Sequence, residues 1–533
     1  MHGFKLIFLL VLMSAWSSTV LKAQQHRLLT YSGNKGESKV LHHPKEWQLK
    51  RVQILAAMQS VTGSLPNRTN LPQLQIQYTD SAKGDGYTRY NIRFDAAEKE
   101  VVAAYLYVPD QAGIPKKLPA MLALHPTGDL GKKIVDGQGD LSNRAYAKEL
   151  AKRGYVVIAP DYPSFGDVKD YDFKTDRYQS GTMKAIFDNM RCVDLLQGRS
   201  DVDTSRIGVI GHSLGGHNAI FTAAFDPRLN VVVSSCGWTL LHDYFNGDSA
   251  SAGKYGGNLW PWAQERYMPL MREKYHLDPD KIPFDFDEII AAIAPRAFFS
   301  NSPVNDANFN ADGVKKGIAN LATAYHFLNV PQNLQVRYPN SGHDFPFQTR
   351  WQAYHFIDSV FGRTRKKEAG YDYQDNPQYF KRLELFAGEK GKKDIVMLGN
   401  SLTERGQWDE ILGRTDVANR GIGSDVTEGY INRMNYVFNL QPKICFIEGG
   451  VNDLGRSIPQ EIIINNLAIL IDTLRDSGIT PVLNTVTYVA ANYQAFEPKA
   501  FNHRIKRLNR AIRRLAKEKN VALIDLNPEI SDG

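Results

Sequence analysis

A serine flanked by glycines stands at Gly211-His212-Ser213-Leu214-Gly215, directly after the apolar run Arg206–Ile210 and ahead of a helical pattern from Gly216. A Gly-x-Ser-x-Gly at a strand-to-helix junction forces a sharp turn that lifts the serine hydroxyl above the strand's carboxyl end. Serine is a poor nucleophile until a base takes its proton. A histidine is therefore required after a later strand, with an acid between the two in chain order. Leu334–Tyr338 reads as such a strand and Ser341-Gly342-His343-Asp344 follows it, which makes His343 the expected base. The strand before it, Ala297–Ser300, runs into Pro303-Val304-Asn305-Asp306-Ala307-Asn308-Phe309. Asp306 is the expected acid, orienting His343 and stabilising its imidazolium form; Asp312, in the same loop, is the alternative. The oxyanion needs preorganised donors. One is the backbone N–H of Leu214. The other comes from the loop after Pro119–Leu124, which reads His125-Pro126-Thr127-Gly128, and Thr127 is nominated.

The insert Gly237–Arg266 carries Trp238, Tyr244, Tyr255, Trp260 and Trp262 and lies where a lid or substrate wall would be. Trp238, Trp260 and Trp262 are expected to meet substrate, since aromatic faces suit the apolar C–H surface of sugar rings. The competing reading is that they pack the insert onto the body. A second constellation begins at Asp394–Ser401, an apolar run ending in Gly399-Asn400-Ser401-Leu402-Thr403. It puts another serine hydroxyl at the carboxyl end of a strand, where α/β sheets place their sites. Asn419-Arg420-Gly421-Ile422-Gly423-Ser424-Asp425 and Gly449-Gly450-Val451-Asn452-Asp453 follow.

These serines need sheets to hold them. Alternating patterns at Leu74–Tyr78, Thr88–Phe94 and Val101–Val108 predict strands, followed by short apolar runs at Pro119–Leu124, Val156–Ala159, Arg206–Ile210, Val231–Ser234 and Ala297–Ser300, with Leu334–Tyr338 the last strand. Helical stretches lie between them, at Ser142–Arg153 and Thr182–Gln197, with another from Thr349 to Phe361. Unbroken apolar strands alternating with amphipathic helices predict a mostly parallel sheet covered on both faces. The charged segment Gly362–Gly370 reads as a linker, placed at 363–371. Strands at Ile395–Leu398, Ile444–Glu448, Pro481–Val486 and Ala522–Asp525 then alternate with helices at Pro459–Arg475 and Asn502–Lys519, giving a smaller doubly wound domain over 372–533. A length of 533 residues favours two domains on its own.

Composition is that of an ordinary soluble protein, 43% hydrophobic and 23% charged. The formal charge of +7 is dispersed, and the basic face from Arg504 to Lys519 reads as a solvated helix side, so no nucleic-acid partner is expected. Residues 1–23 have the form of a secretory signal: Lys5, the apolar stretch Leu6–Met13 and a small residue at Ala23. Ser14, Ser17, Ser18 and Thr19 interrupt the run well short of the ~20 apolar residues a span needs. The expectation is an exported protein, periplasmic or extracellular, without a membrane span. Cys192, Cys236 and Cys445 have no metal-ligand spacing. Cys445 reads as a small buried hydrophobe, and a Cys192–Cys236 bridge is the alternative to free thiols.

Residues from about 70 to 362 resemble an α/β-hydrolase of the kind found among acetyl xylan esterases, with the domain placed at 24–362. The resemblance implies ester hydrolysis through an acyl-enzyme. Residues 372–533 resemble the SGNH (GDSL-like) hydrolases, a flavodoxin-like fold that includes carbohydrate acetylesterases. That resemblance implies Ser401 as nucleophile, the Asn452 side chain as an oxyanion donor, and the backbone of Ser424 in place of the family's glycine. Asn400 stands for the family's commoner aspartate. The family's Asp-x-x-His should follow the last strand by a couple of dozen residues, but Gly533 lies only a few residues beyond Ala522–Asp525 and His503 sits at a helix start. Either the sequence is a fragment, which is favoured, or this domain has lost its base. The function expected is an exported carbohydrate esterase that removes acetyl groups from an acetylated polysaccharide or oligosaccharide such as xylan or pectin, without metal or organic cofactor. The alternatives are a serine peptidase or lipase of the same fold, with the second domain a non-catalytic carbohydrate-binding module.

Overall fold

The computed structural model describes residues 27–527 except 34, 85, 111–116, 142, 246–248, 364–372, 374–375, 390 and 493–494. The expected leader lies outside the described residues, as does the expected linker apart from Arg363. The chain divides into two compact units, Met1–Arg363 and Thr364–Gly533.

In the first unit a short hairpin of β1 (Thr30–Ser32) and β2 (Ser38–Val40) precedes the helix Trp47–Thr62. The main sheet has nine strands: β3 (Gln77–Lys83), β4 (Tyr87–Ala97), β5 (Glu100–Pro109), β6 (Leu118–Leu124), β7 (Val156–Pro160), β8 (Val202–His212), β9 (Val231–Ser235), β10 (Ala297–Asn301) and β11 (Leu334–Arg337). Their order is β11-β10-β9-β8-β6-β7-β5-β4-β3. The strands from β7 to β11 and β6 are parallel, while β3, β4 and β5 form an antiparallel flank. β7, β9 and β10 are buried at every residue, which is why their sequences are apolar runs without alternation. β4 alternates over Ile92–Ala96, as a strand with one solvated side requires, while β5 is buried from Val102 to Tyr107.

Several boundaries depart from the sequence reading: β8 starts at Val202 and not Arg206, and the last long helix starts at Pro498 and not Asn502. β3 starts at Gln77, three residues later than expected, because Leu74 and Ile76 pack against the core outside the ladder. The helix after the Thr127 loop begins only at Tyr146. Arg144, just ahead of it, is buried and engaged with Asp344. Cys192, Cys236 and Cys445 are all buried and free, so the bridge between the first two is not formed.

The second unit is a five-stranded parallel sheet in the order β13-β12-β14-β15-β16, with β12 (Ile395–Gly399), β13 (Val417–Gly421), β14 (Ile444–Ile447), β15 (Thr480–Asn484) and β16 (Ala522–Ile524). β13 escaped the sequence reading because its side chains include Asn419 and Arg420. Arg420 is 1% exposed and pairs with Glu389 at 2.5 Å. No helix among the described residues is long and apolar enough to cross a membrane.

Candidate active site

β8 delivers Ser213 to the start of the helix Leu214–Phe225 with φ +54° and ψ −120°. A non-glycine residue is rarely found in this region, and such strain persists only where the surroundings over-determine it. Here they do. A Cβ on Gly211 would strike the backbone of Gly215, and one on Gly215 would strike the carbonyl of Leu124. The Ser213 N–H donates to the Ser235 carbonyl at 2.8 Å. The three strand tips are in register, His212 opposite Ser235 and Ser235 opposite Asn301, so the ends of β8, β9 and β10 form one ledge.

His343 stands over this ledge. Its Nδ1 lies 2.9 Å from Oδ2 and 3.1 Å from Oδ1 of Asp306. Oδ1 also accepts the N–H groups of Asn308 at 2.9 Å and Phe309 at 3.1 Å. Burial works against a charge on Asp306, but these hydrogen bonds, the one from His343 foremost, hold its carboxyl below the usual range. Asp312 lies elsewhere, exposed and paired with Lys315 at 2.8 Å. The His343 ring is stacked against Phe309 at 5.8 Å and faces the His212 ring at 4.9 Å. Among the described residues no hydrogen bond joins the Ser213 hydroxyl to His343. In unliganded enzymes this contact is often long and tightens only with substrate.

The segment bearing His343 is held by residues that the sequence reading did not single out. Arg144 donates to Asp344 Oδ1 at 2.5 Å and to the His343 carbonyl at 3.1 Å, and Asn143 donates to Asp344 Oδ2 at 2.8 Å. Asn301 donates to the Asp344 carbonyl at 2.9 Å. An Asp directly after the base was the available signal, since an acidic residue there needs a cation.

The loop after β6 packs against the first turn of the Ser213 helix, close enough that only glycine fits at 215. It is fixed by buried His125, whose Nδ1–H donates to Pro126 O at 2.7 Å while Nε2 accepts the Tyr162 N–H at 2.9 Å. Burial lowers the pKa of His125 and keeps it neutral, as an accepting Nε2 requires. Thr127 is exposed, its hydroxyl 3.4 Å from that of Tyr267.

The three tryptophans part company. Trp238 is 1% exposed, donates to Ser300 Oγ at 2.9 Å and packs on Phe298, so it belongs to the core and not to a substrate wall. Trp260 pairs with Tyr255 at 4.7 Å. Trp262 stacks on His217 at 4.3 Å, the rings nearly parallel at 17°, and touches Tyr244, Tyr267 and Phe309. Through Phe309 this aromatic group reaches His343. His217, one turn beyond Ser213, has neither ring nitrogen hydrogen-bonded among the described residues, and burial pushes it down to about 3.

In the second unit Ser401 opens the helix Ser401–Arg405, capped by Asn400 Oδ1, which accepts the Leu402 N–H at 2.9 Å. Asn400 Nδ2 donates to buried Glu448 at 3.2 Å. The Asp425–Arg433 pair, 2.9 Å apart and fully buried, ties the Ser424 loop to β12 through a 2.9 Å bond from Arg433 to the Gly399 carbonyl. Ser424 has φ +61°. The Gly423 N–H is taken by the Glu404 carboxylate at 2.5 Å, and the Asn452 amide donates to the Asp425 carbonyl at 2.8 Å. His503 is exposed on the helix Pro498–Glu518.

YtaP of Bacillus subtilis (strain 168), a protein designated a hydrolase, is 31% identical over 307 residues, which cover 55% of this chain and 94% of YtaP. The chain belongs to that hydrolase family. Two family models match parts of this hydrolase: a fungal glucuronyl esterase over residues 170–326, and the GDSL-like lipase/acylhydrolase family over residues 397–533. A carbohydrate esterase designated MZ0003, from an unknown prokaryotic organism, is 27% identical over 191 residues, 32% of this hydrolase and 41% of that protein. Among solved structures, a glucuronoyl esterase from Solibacter usitatus superposes with a TM-score of 0.49 at 21% identity, covering 63% of this hydrolase and 97% of that chain. An acetyl xylan esterase from Paenibacillus sp. R4 does so at 0.37 and 20%, covering 57% and 99%. The hydrolase is a carboxylic ester hydrolase, an α/β-hydrolase unit followed by a GDSL-like unit.

Proposed function

We propose that this hydrolase is an exported carbohydrate esterase that removes acetyl groups from polysaccharide such as xylan, with Ser213 as nucleophile. The observation that carries the reading is the His343–Asp306 hydrogen bond of 2.9 Å above a ledge that presents Ser213 at φ +54°. Ser213 Oγ attacks the ester carbonyl while His343 Nε2 takes its proton, and Asp306 on Nδ1 fixes the tautomer and stabilises the imidazolium. The oxyanion forms against the N–H of Leu214 and one from the loop at Thr127. The alcohol leaves with the proton from His343, and water then clears the acyl group by the same route in reverse.

Support for a sugar substrate comes from the designation of the relative MZ0003 as a carbohydrate esterase. The match to a glucuronyl esterase model over residues 170–326 favours one second reading, an ester of a uronic acid in place of acetate. In the second unit Ser401 is the nucleophile, with the Asn452 amide and the Ser424 N–H as oxyanion donors. Export rests on the leader-like residues 1–23 alone.

The test is acetate release from acetylated xylan by the protein, Ser213→Ala and Ser401→Ala, beside alcohol release from a benzyl ester of glucuronic acid. Acetate release that Ser213→Ala abolishes supports the reading. Release of the alcohol alone moves the substrate to the uronate ester, and acetate release lost only in Ser401→Ala overturns the assignment to the first unit.

A further inference from the structure

The His343–Asp306 pair has a third neighbour that ester hydrolysis does not use. Cys236, one residue beyond β9 with φ +48°, places its sulfur so that it, an Asp306 oxygen and a His343 ring nitrogen all lie within 4.8 Å of one another. The register explains why. The Cys236 N–H donates to the Asn301 carbonyl at 2.9 Å, which holds the residue at the tip of β9 between the tips that carry Ser213 and lead to Asp306. The thiol is 2% exposed. The thiol donates to the Asp344 carbonyl at 3.3 Å, accepts from Asn301 at 3.8 Å and from Ser235 at 3.9 Å, and lies within hydrogen-bonding reach of the Asp306 carboxylate. Burial, then the Asp306 carboxylate, push the thiol well above its ordinary range, so it is no reactive thiolate by itself.

We propose that Cys236 Sγ, Asp306 Oδ2 and His343 Nδ1 form a binding site for a thiophilic divalent cation, with zinc the best match to this sulfur, oxygen and nitrogen set, and that its occupancy switches off the first active site. Zinc takes these ligands at ~2.3, ~2.1 and ~2.0 Å in a tetrahedron, which sets an N···O separation of roughly 3.3 Å. The resting Nδ1–Oδ2 distance of 2.9 Å opens by only a few tenths of an ångström to meet it. The sulfur has further to move, on the order of 1 Å, and gives up its bond to the Asp344 carbonyl as it turns to the ion beside Asp306. Oδ1 remains anchored by the Asn308 and Phe309 N–H groups while Oδ2, which has His343 as its hydrogen-bond partner, turns to the metal. The His343 side chain is 28% exposed and gives solvent, and the ion, a way in.

Charge and proton balance follow. A dication with one thiolate and one carboxylate is neutral, which suits a site whose Asp306 side chain is fully buried. The thiol proton passes to solvent. The imidazole keeps a single proton, which moves from Nδ1 to Nε2 when the metal takes Nδ1. An Nε2 that carries a proton cannot accept one from Ser213, and nothing is oxidised or reduced. The inhibition rests on the reading of His343 as base; the binding does not.

Two readouts separate these claims. In Ser401→Ala protein, where only the first site turns over, hydrolysis of p-nitrophenyl acetate is titrated with zinc chloride with and without Cys236→Ala, each protein scaled to its own zinc-free rate. The expected result is inhibition reversed by EDTA and weakened about tenfold or more by Cys236→Ala, the size of effect usual for disturbing a metal's ligand shell. Independently of activity, cobalt(II) added to the full chain should give a thiolate-to-cobalt absorption band in the near ultraviolet that Cys236→Ala removes. The same cobalt spectrum in both proteins, or equal zinc inhibition in both, overturns the site. A Cys236-dependent band without inhibition keeps the binding and overturns the role of His343 as the base it captures.

Discussion

His343 Nδ1 meets Asp306 Oδ2 at 2.9 Å across 37 residues of chain that include the whole helix Ala311–Phe327. The contact sets the tautomer of the imidazole, leaving Nε2 free to take a proton. Asp306→Asn keeps the shape but presents an N–H or a poorer acceptor to Nδ1. The expected loss in kcat on p-nitrophenyl acetate is roughly 10⁴-fold, with KM little changed. Asp312→Asn, measured beside it, should be silent. Comparable losses from both would remove the distinction between the two acids.

Ser213 is strained for the sake of its hydroxyl. Its φ of +54° costs a non-glycine residue about 1–3 kcal/mol. Glycine relieves that at an entropic cost of about 0.5–1 kcal/mol. Ser213→Gly should therefore be inactive yet more stable than Ser213→Ala by about 1 kcal/mol, read as a higher urea midpoint for the first unit. An alanine variant as stable as the glycine one would mean that the turn is not strained.

Trp238 and Trp262 make a matched pair, both buried aromatic residues of one insert. Trp238→Phe forfeits the hydrogen bond to Ser300, a loss of about 1 kcal/mol in stability, with KM on a sugar ester unchanged. Trp262→Ala removes the packing behind Phe309, the ring stacked on His343, and KM should rise about tenfold, which is 1.4 kcal/mol of binding. The idea fails if Trp238→Phe moves KM as far as Trp262→Ala does.

The contrast between these tryptophans marks how far sequence reading reaches. The order serine, acid, histidine was legible because each lies within a few residues of a strand's carboxyl end, and strands buried on both faces, such as β9 and β10, announce themselves as apolar runs. A tryptophan in an insert carries no such signal: both neighbours are apolar whether it faces substrate or core. β13 was illegible for the opposite reason, since its buried Arg420 looks like a surface residue until Glu389 and the carbonyl of Tyr436 are in place. Arg144 and Cys236 were missed because their roles exist only where distant loops converge on His343.

Arg144 tests whether that convergence matters. It is buried and donates to both Asp344 and the His343 carbonyl, so it fixes the backbone from which the base projects. Arg144→Met removes the charge while filling much of the volume. The expected outcome is a fall in kcat of about 10–100-fold, the cost of a base that samples wrong orientations, with a far-ultraviolet circular dichroism spectrum like that of the parent. Arg144→Lys should recover part of the rate through a single bond to Asp344. Loss of folded signal in both would reassign Arg144 to stability alone.

Glu448 supplies the pH prediction for the second unit. Its carboxyl is buried against Asn400, the residue before Ser401, accepts a hydrogen bond from the Asn400 amide and leaves Oε2 without a side-chain or backbone partner among the described residues. Burial pushes it up to about 7, against about 4.3 in an unfolded chain. A folded-state pKa above the unfolded one means that the folded state holds the extra proton between these values. The associated stability is complete below about 4.3 and is lost as pH rises through 7. The span corresponds to an effect on the order of 3 kcal/mol. Asp425 and Asp453, pushed by burial to about 7 and about 6, titrate in the same window, so the difference between two proteins is the useful reading. Glu448→Gln, neutral at every pH and able to accept the same bond from Asn400, should match the parent's urea midpoint near pH 4.5 and exceed it at pH 8. Parallel curves for the two proteins across that range would mean that Glu448 is ionised in the folded state and has a partner that offsets its burial.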